Sequence, residues 1–394
     1  MNNSYKKASF LFLGLHCSCI LCLFIIFALM AFSFDPLNIF TVPHDPKAAL
    51  FSTDQRIQNA GYIKSFDFDS VIIGNSHMEN LSHSKTADYL PGKWFNLSMS
   101  GSRNNERKIV LEKAFREKEL KQVLLLLTGD LQYNPTEGFD FLYDRNPFND
   151  IFIYLNQMYS ECFVKHTINT IFKTSYDDNC FGQKLNIDEH NAWIYYPDHN
   201  SRFGGIEKWA QHYQNGQLIG TYNDVNKYYQ YSPRPLKKLS YSTRKEIENN
   251  INDNIVSLVK AHPETVFYCY AQPYFKLLYA LDLRDSNGQA IEIYSEFLRV
   301  AAKVTSKYPN FKLYGFDNLA FASDVKNYKD LSHFSREMNY QILEYIKEGE
   351  YSLDMNNIDE YIDNFIKGCY SFDIKSFHND LNALIERENY PTSS

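Results

Sequence analysis

The sequence predicts an α/β protein, with a doubly wound, parallel five-stranded sheet that carries an insertion and follows one transmembrane helix. Three observations lead to this reading: short apolar runs ending in Gly or small polar residues, amphipathic stretches between those runs, and one long uncharged run near the N-terminus.

The N-terminal run spans residues 8–34 and contains no Asp, Glu, Lys or Arg. At about 1.5 Å per residue it crosses a roughly 30 Å hydrocarbon core. Lys6 and Lys7 precede it, and Asp35 and Pro36 follow. The positive-inside bias therefore leaves residues 1–7 in the cytoplasm and the remainder outside. The small-x-small pattern from Ala31 to Ser33 admits a cleaved signal peptide, but the run is longer than an ordinary signal core. The expected location is a single-pass anchor in the cytoplasmic membrane, with the main domain in the periplasm or outside the cell.

Residues 35–65, with Pro36, Pro43 and Pro46, read as a connecting segment that turns helical over 48–63. The main domain is expected over 66–350. Residues 69–74, 94–98 and 122–128 have the continuous apolar character of buried parallel strands. Between the second and third, residues 104–118 place Ile109, Val110, Leu111, Ala114 and Phe115 on one stripe, which predicts a crossover helix. From about 135 to 240 the pattern dissolves into Asn, Asp, Tyr, Gly and Pro, the expected insertion or lid. The alternation resumes with a helix over 243–261, a strand over 265–271, a helix over 291–306, a strand over 311–316 and a helix over 335–347. Residues 351–394 form a tail of amphipathic helical pieces such as IDEYIDNFI.

Composition narrows the function. With 40 basic and 47 acidic residues the net charge is -7, which provides no field for nucleic acid. No pair among the seven cysteines has metal-ligand spacing, and no Gly-rich phosphate loop is present, so neither a metal nor a nucleotide cofactor is expected. Cys162 and Cys180 are candidates for a disulfide in an oxidising compartment, whereas Cys269 sits in an apolar run and reads as core. The 30 Tyr and 30 Phe suit either sugar stacking or a simple compositional bias.

In a parallel α/β sheet, ligands bind at the carboxyl ends of the strands. Those ends carry Gly74-Asn75-Ser76-His77, then Ser98 to Ser102 around Gly101, then Gly129-Asp130, then Gln272-Pro273-Tyr274, and finally Asp330-x-x-His333 before the last helix. This order resembles the SGNH (GDSL-type) hydrolase family over residues 66–347, and most closely its membrane-anchored, extracytoplasmic branch, which acylates or deacylates bacterial surface polysaccharides. The resemblance implies flavodoxin-like layering and a serine triad of Ser76, Asp330 and His333. It also implies an oxyanion hole at Ser76 and Gly101, with a third donor at the position of Asp130. That third position departs from the family, where an Asn side chain donates. Protonation of Asp130, substitution by Gln132 or Asn134, or a scaffold without catalysis are the open alternatives. His77, Arg103, Asn104 and Tyr274 are expected substrate contacts. The structural alternatives are a helix cap for Ser76, a helix-start residue for His333, a solvated first turn for Arg103 and Asn104, and core packing for Tyr274.

The implied function is an extracytoplasmic acyl esterase or O-acyltransferase acting on a cell-surface glycan through an acyl-serine, served by a membrane-bound acyltransferase as partner. The alternative is an inactive scaffold that binds glycan or assembles with such an acyltransferase or an export complex.

Overall fold

The computed structural model describes residues 3–34, 48–49, 55–129, 131, 143, 146, 148, 185–189, 192–195 and 197–389. The chain forms two compact units, one of Met1–Phe66 with Phe141–Ile187, the other of Asp67–Asp140 with Asp188–Ser394. The segment expected to be one insertion is thus divided between them.

In the first unit, helix α1 (Asn3–Phe34) contains a stretch, Lys7–Leu29, long and apolar enough to cross a membrane. Phe10, Leu11, Ile20 and Leu23 are all more than half exposed on it, a surface suited to lipid. The helical stretch expected over 48–63 begins later, at Gln55–Ser65, and Ala48–Ala49 instead pairs antiparallel with Leu185–Asn186.

The second unit is α/β, built on a mixed six-stranded sheet. Its strands are β1 (Ser70–Ile73), β2 (Trp94–Asn96), β3 (Gln122–Leu127), β4 (Val266–Ala271), β5 (Phe311–Tyr314) and β6 (Ser352–Leu353), in the order β2-β1-β3-β4-β5-β6. The first five are mutually parallel, and β6 runs antiparallel to β5. The sixth strand corrects the expected all-parallel sheet of five. It comes from the tail, and two residues are too few to show a period. Val71, Ile72, Leu124 and Cys269 are fully buried, as central parallel strands require.

Three helices bear on the site: α2 (Asn104–Glu117), α3 (Ala290–Thr305) and α4 (Arg336–Glu348). Helix α4 starts where Ser335 Oγ accepts the Met338 N–H and stops at Gly349, whose φ of 72° ends the helix in the left-handed region. The order of strands reverses between β1 and β3, which makes the end of β1 a switch point.

Candidate active site

The end of β1 is shaped by Gly74. A Cβ there would lie 2.5 Å from Met78 Sδ and 2.9 Å from Leu126 Cβ, so only Gly allows β1 to leave the sheet this close to β3. The backbone of Gly74 also holds the loop after β2. Its carbonyl accepts the Met99 N–H at 2.9 Å and the Ser102 hydroxyl at 2.8 Å, and its N–H donates to Ser98 Oγ at 3.1 Å.

Two residues on, Ser76 Oγ donates to His333 Nε2 at 2.8 Å. His333 Nδ1 donates to Asp330 Oδ2 at 2.9 Å, which places the ring proton on Nδ1 and the lone pair toward Ser76. Asp330 Oδ1 additionally accepts the N–H groups of Ser332 at 2.9 Å and His333 at 2.8 Å, and the Ser332 hydroxyl at 3.0 Å. Burial alone would raise the pKa of Asp330. The His333 bond and charge, with the two backbone donors, outweigh it and hold the carboxyl well below the usual range. The three residues therefore form a continuous chain from hydroxyl to ionised carboxylate.

Gly101, at φ 64°, has no atom within 4 Å of where a Cβ would stand, so glycine serves conformation there rather than space. Among the described residues, no backbone carbonyl accepts the N–H of Ser76 or of Gly101. Asp130 lies outside the described residues, as do Gln132, Asn134, Cys162 and Cys180.

The expected substrate contacts divide. Asn104 is 1% exposed and its amide donates to the Thr128 carbonyl at 2.8 Å and to Asn250 Oδ1 at 3.0 Å, which leaves it stapling α2 to β3 rather than facing a substrate. His77 is also buried, because a turn rather than a strand follows β1 and folds its ring beneath the triad. Its Nδ1 donates to Asn75 Oδ1 at 2.6 Å, and Nε2 lies 2.5 Å from the Gln272 amide nitrogen and 2.8 Å from the Ser332 carbonyl oxygen. The ring stacks on His333 with centroids 4.5 Å apart and planes within 6°. Burial, then the neighbouring His333, hold its pKa well below the ordinary histidine value, so it is neutral at pH 7. Both side chains, expected as substrate contacts, are buried and hydrogen-bonded within the protein. Arg103 is half-buried at the start of α2, with its N–H on Glu106 Oε2 at 3.2 Å. Tyr274 is half-buried, edge-on to His77 with ring centroids 6.1 Å apart.

Three contributors were not evident from the sequence. Trp193 donates through Nε1 to the Ser76 carbonyl at 2.5 Å and stands edge-on to His333, with centroids 5.7 Å apart. Lys329 places its ammonium 3.9 Å from the Trp193 ring centroid and donates to His199 Nδ1 at 2.7 Å. Burial pushes its pKa down to about 8. Arg107, fully buried, donates to Ser102 Oγ at 3.0 Å, to the Leu126 carbonyl at 2.6 Å and to the Ser102 carbonyl, tying the Gly101 loop to β3. The charge-rich pattern of α2 hid Arg107 among solvated residues. A Trp within a polar, aperiodic segment was the one available signal for Trp193.

A serine hydroxyl hydrogen-bonded to an imidazole that a buried carboxylate orients is an arrangement suited to nucleophilic acyl transfer. No family model, curated protein or solved structure matches the chain.

Proposed function

We propose that this chain is a membrane-anchored serine acyl esterase or O-acyltransferase of the SGNH type, acting outside the cytoplasm on an acylated cell-surface glycan. The observation that carries the reading is the Ser76–His333–Asp330 chain, with its 2.8 Å and 2.9 Å hydrogen bonds. As Ser76 Oγ attacks the ester carbonyl, its proton passes to His333 Nε2, and Asp330 stabilises the imidazolium that forms. The tetrahedral oxyanion accepts from the Ser76 and Gly101 N–H groups. Such donors are typically worth about 10²- to 10³-fold each in rate. Collapse expels the alcohol, which takes the proton from His333 and leaves an acyl-Ser76. Water then releases the acid, or a sugar hydroxyl takes the acyl group.

The Lys6–Lys7 pair in the first turns of α1, ahead of its uncharged run, supports an outside position for the sheet unit. Acyl-CoA is absent there, so transfer requires a partner, such as a membrane acyltransferase, that brings the acyl group across. The scaffold reading draws on one observation, an acidic residue, Asp130, at the third donor position. It would leave Ser76 and His333 apart, and their direct contact favours catalysis.

Acyl release from a model acetyl ester by the full-length chain in detergent, compared with Ser76→Ala, tests the proposal. Loss of turnover in the variant is expected, together with labelling of wild-type Ser76 by a fluorophosphonate. Equal turnover in the two proteins removes Ser76 from the mechanism.

A further inference from the structure

The loop that carries Asp330 and His333 is closed at its base by an antiparallel bridge between Tyr328 and Phe334, and by the Lys329 N–H on the His333 carbonyl at 3.0 Å. Its first residue, Lys329, is only 4% exposed. A buried ammonium loses its hydration, and a methionine of similar length would fill the same space without that cost. Among the described residues, no carboxylate pairs with it directly. Asp330 is engaged with His333, Asp198 pairs with Arg202 at 2.5 Å, and Glu79 Oε1 accepts the Ser100 hydroxyl at 2.9 Å. The charge therefore needs an account other than a salt bridge.

What the ammonium touches is a side chain that holds the nucleophile. Lys329 Nζ lies 3.9 Å from the Trp193 ring centroid and donates to His199 Nδ1 at 2.7 Å. Burial, then the Lys329 and Arg202 charges, hold the His199 pKa below the ordinary histidine value, so its ring is mostly neutral at pH 7 and can accept that bond. Trp193 in turn donates through Nε1 to the Ser76 carbonyl and sets its ring edge-on to His333, while Phe203 lies nearly parallel to it with planes within 12°. A cation over an indole face is attracted by the ring quadrupole, most strongly where water is excluded. It also draws electron density from the ring, which makes the indole N–H a stronger donor. Both effects converge on the Ser76 carbonyl, in the residue that must present its hydroxyl to His333.

We propose that Lys329 is a positioning residue for acyl transfer, whose ammonium seats Trp193 and strengthens the Trp193 bond that fixes the Ser76 carbonyl. The proposal rests on the acyl-transfer reading and adds to it a charge that touches no reacting atom. Its effect lasts only while Lys329 is protonated. Burial lowers the Lys329 pKa to about 8, with Arg202 acting in the same direction and Asp330, Glu79 and Asp198 against it. The charge is thus largely present at pH 7 and is lost as the pH rises through about 8.

The test measures kcat for p-nitrophenyl acetate with the full-length chain in detergent, from about pH 7 to about pH 9.5, in wild type and Lys329→Met. Wild-type kcat is expected to fall about tenfold along a limb with its midpoint near 8. Lys329→Met is expected to be about tenfold slower at pH 7 with KM little changed, and to converge with the wild type at the alkaline end. An unchanged rate, or a loss of equal size at every pH, makes Lys329 a packing residue and overturns the proposal. A second measurement needs no turnover. In a heteronuclear NMR spectrum, the indole N–H signal of Trp193, assigned among the three tryptophans by Trp193→Phe, is expected to shift with a midpoint near 8 in wild type and in Ser76→Ala, and to stay fixed in Lys329→Met. That shift without ester cleavage sinks the acyl-transfer reading and leaves the coupling of Lys329 to Trp193 standing. A signal that does not move, beside turnover that depends on Ser76, overturns the role of Lys329.

Discussion

Asp330 fixes the tautomer of His333, and an amide in its place would offer Nδ1 a donor as readily as an acceptor. Asp330→Asn is therefore expected to lower kcat by about 10⁴-fold while the chain stays folded, as read by ester turnover beside a circular dichroism spectrum. The carboxylate also contributes to stability. Its folded pKa lies below the unfolded value, so that contribution is present above about pH 4 and is lost as the pH falls. His77 behaves likewise at higher pH. Its depressed pKa means that the unfolded chain binds its proton first, and stability declines as the pH drops below about 6.5. Melting temperatures from pH 7.5 to 5 should fall less steeply in His77→Phe than in wild type. At this scale Ser76, Asp330 and His333 were legible because the ends of parallel strands are where chemistry collects. The roles of His77 and Asn104 were not, since a sequence does not show which way a turn points a ring or which amide a buried Asn meets.

Strands β1 to β5 and helices α2 to α4 were legible as elements, because each is long enough for an apolar run or stripe to stand out. What the sequence did not show is how elements clamp one another. Arg107 on α2 joins the loop after β2 to the carbonyl end of β3, and through Ser102 it supports the stretch that presents Gly101. Arg107→Met leaves buried carbonyls without a donor and should destabilise the protein by about 3 kcal/mol, seen as a lower melting temperature together with reduced turnover. Trp193 clamps in the same sense from 117 positions along the chain, donating to the Ser76 carbonyl. Trp193→Phe keeps the ring against His333 but loses that bond, so it should reduce kcat by about tenfold, the equivalent of roughly 1.4 kcal/mol at the transition state. Aperiodic segments give no stripe from which to infer such a reach.

For the whole molecule, α1 contains the stretch long and apolar enough to cross a membrane. Ile25→Arg with Ile26→Arg adds about 3 kcal/mol per residue to insertion; the wild type is expected to float with lipid vesicles on a density gradient and the double variant is not. The sheet unit carries a different vulnerability, set by the order of biosynthesis. Strand β5 joins the sheet through β4, and its other edge pairs with β6 at Leu313 and Tyr314, once Ser352–Leu353 arrive. Until the ribosome has made those residues, a nascent chain presents an open parallel edge able to recruit a neighbour's strand. A stop codon shortly after Gly349 would spare Ser76, Asp330 and His333 and still leave that edge bare. Premature termination there is thus expected to yield aggregates and proteolytic clearance rather than a shortened working protein.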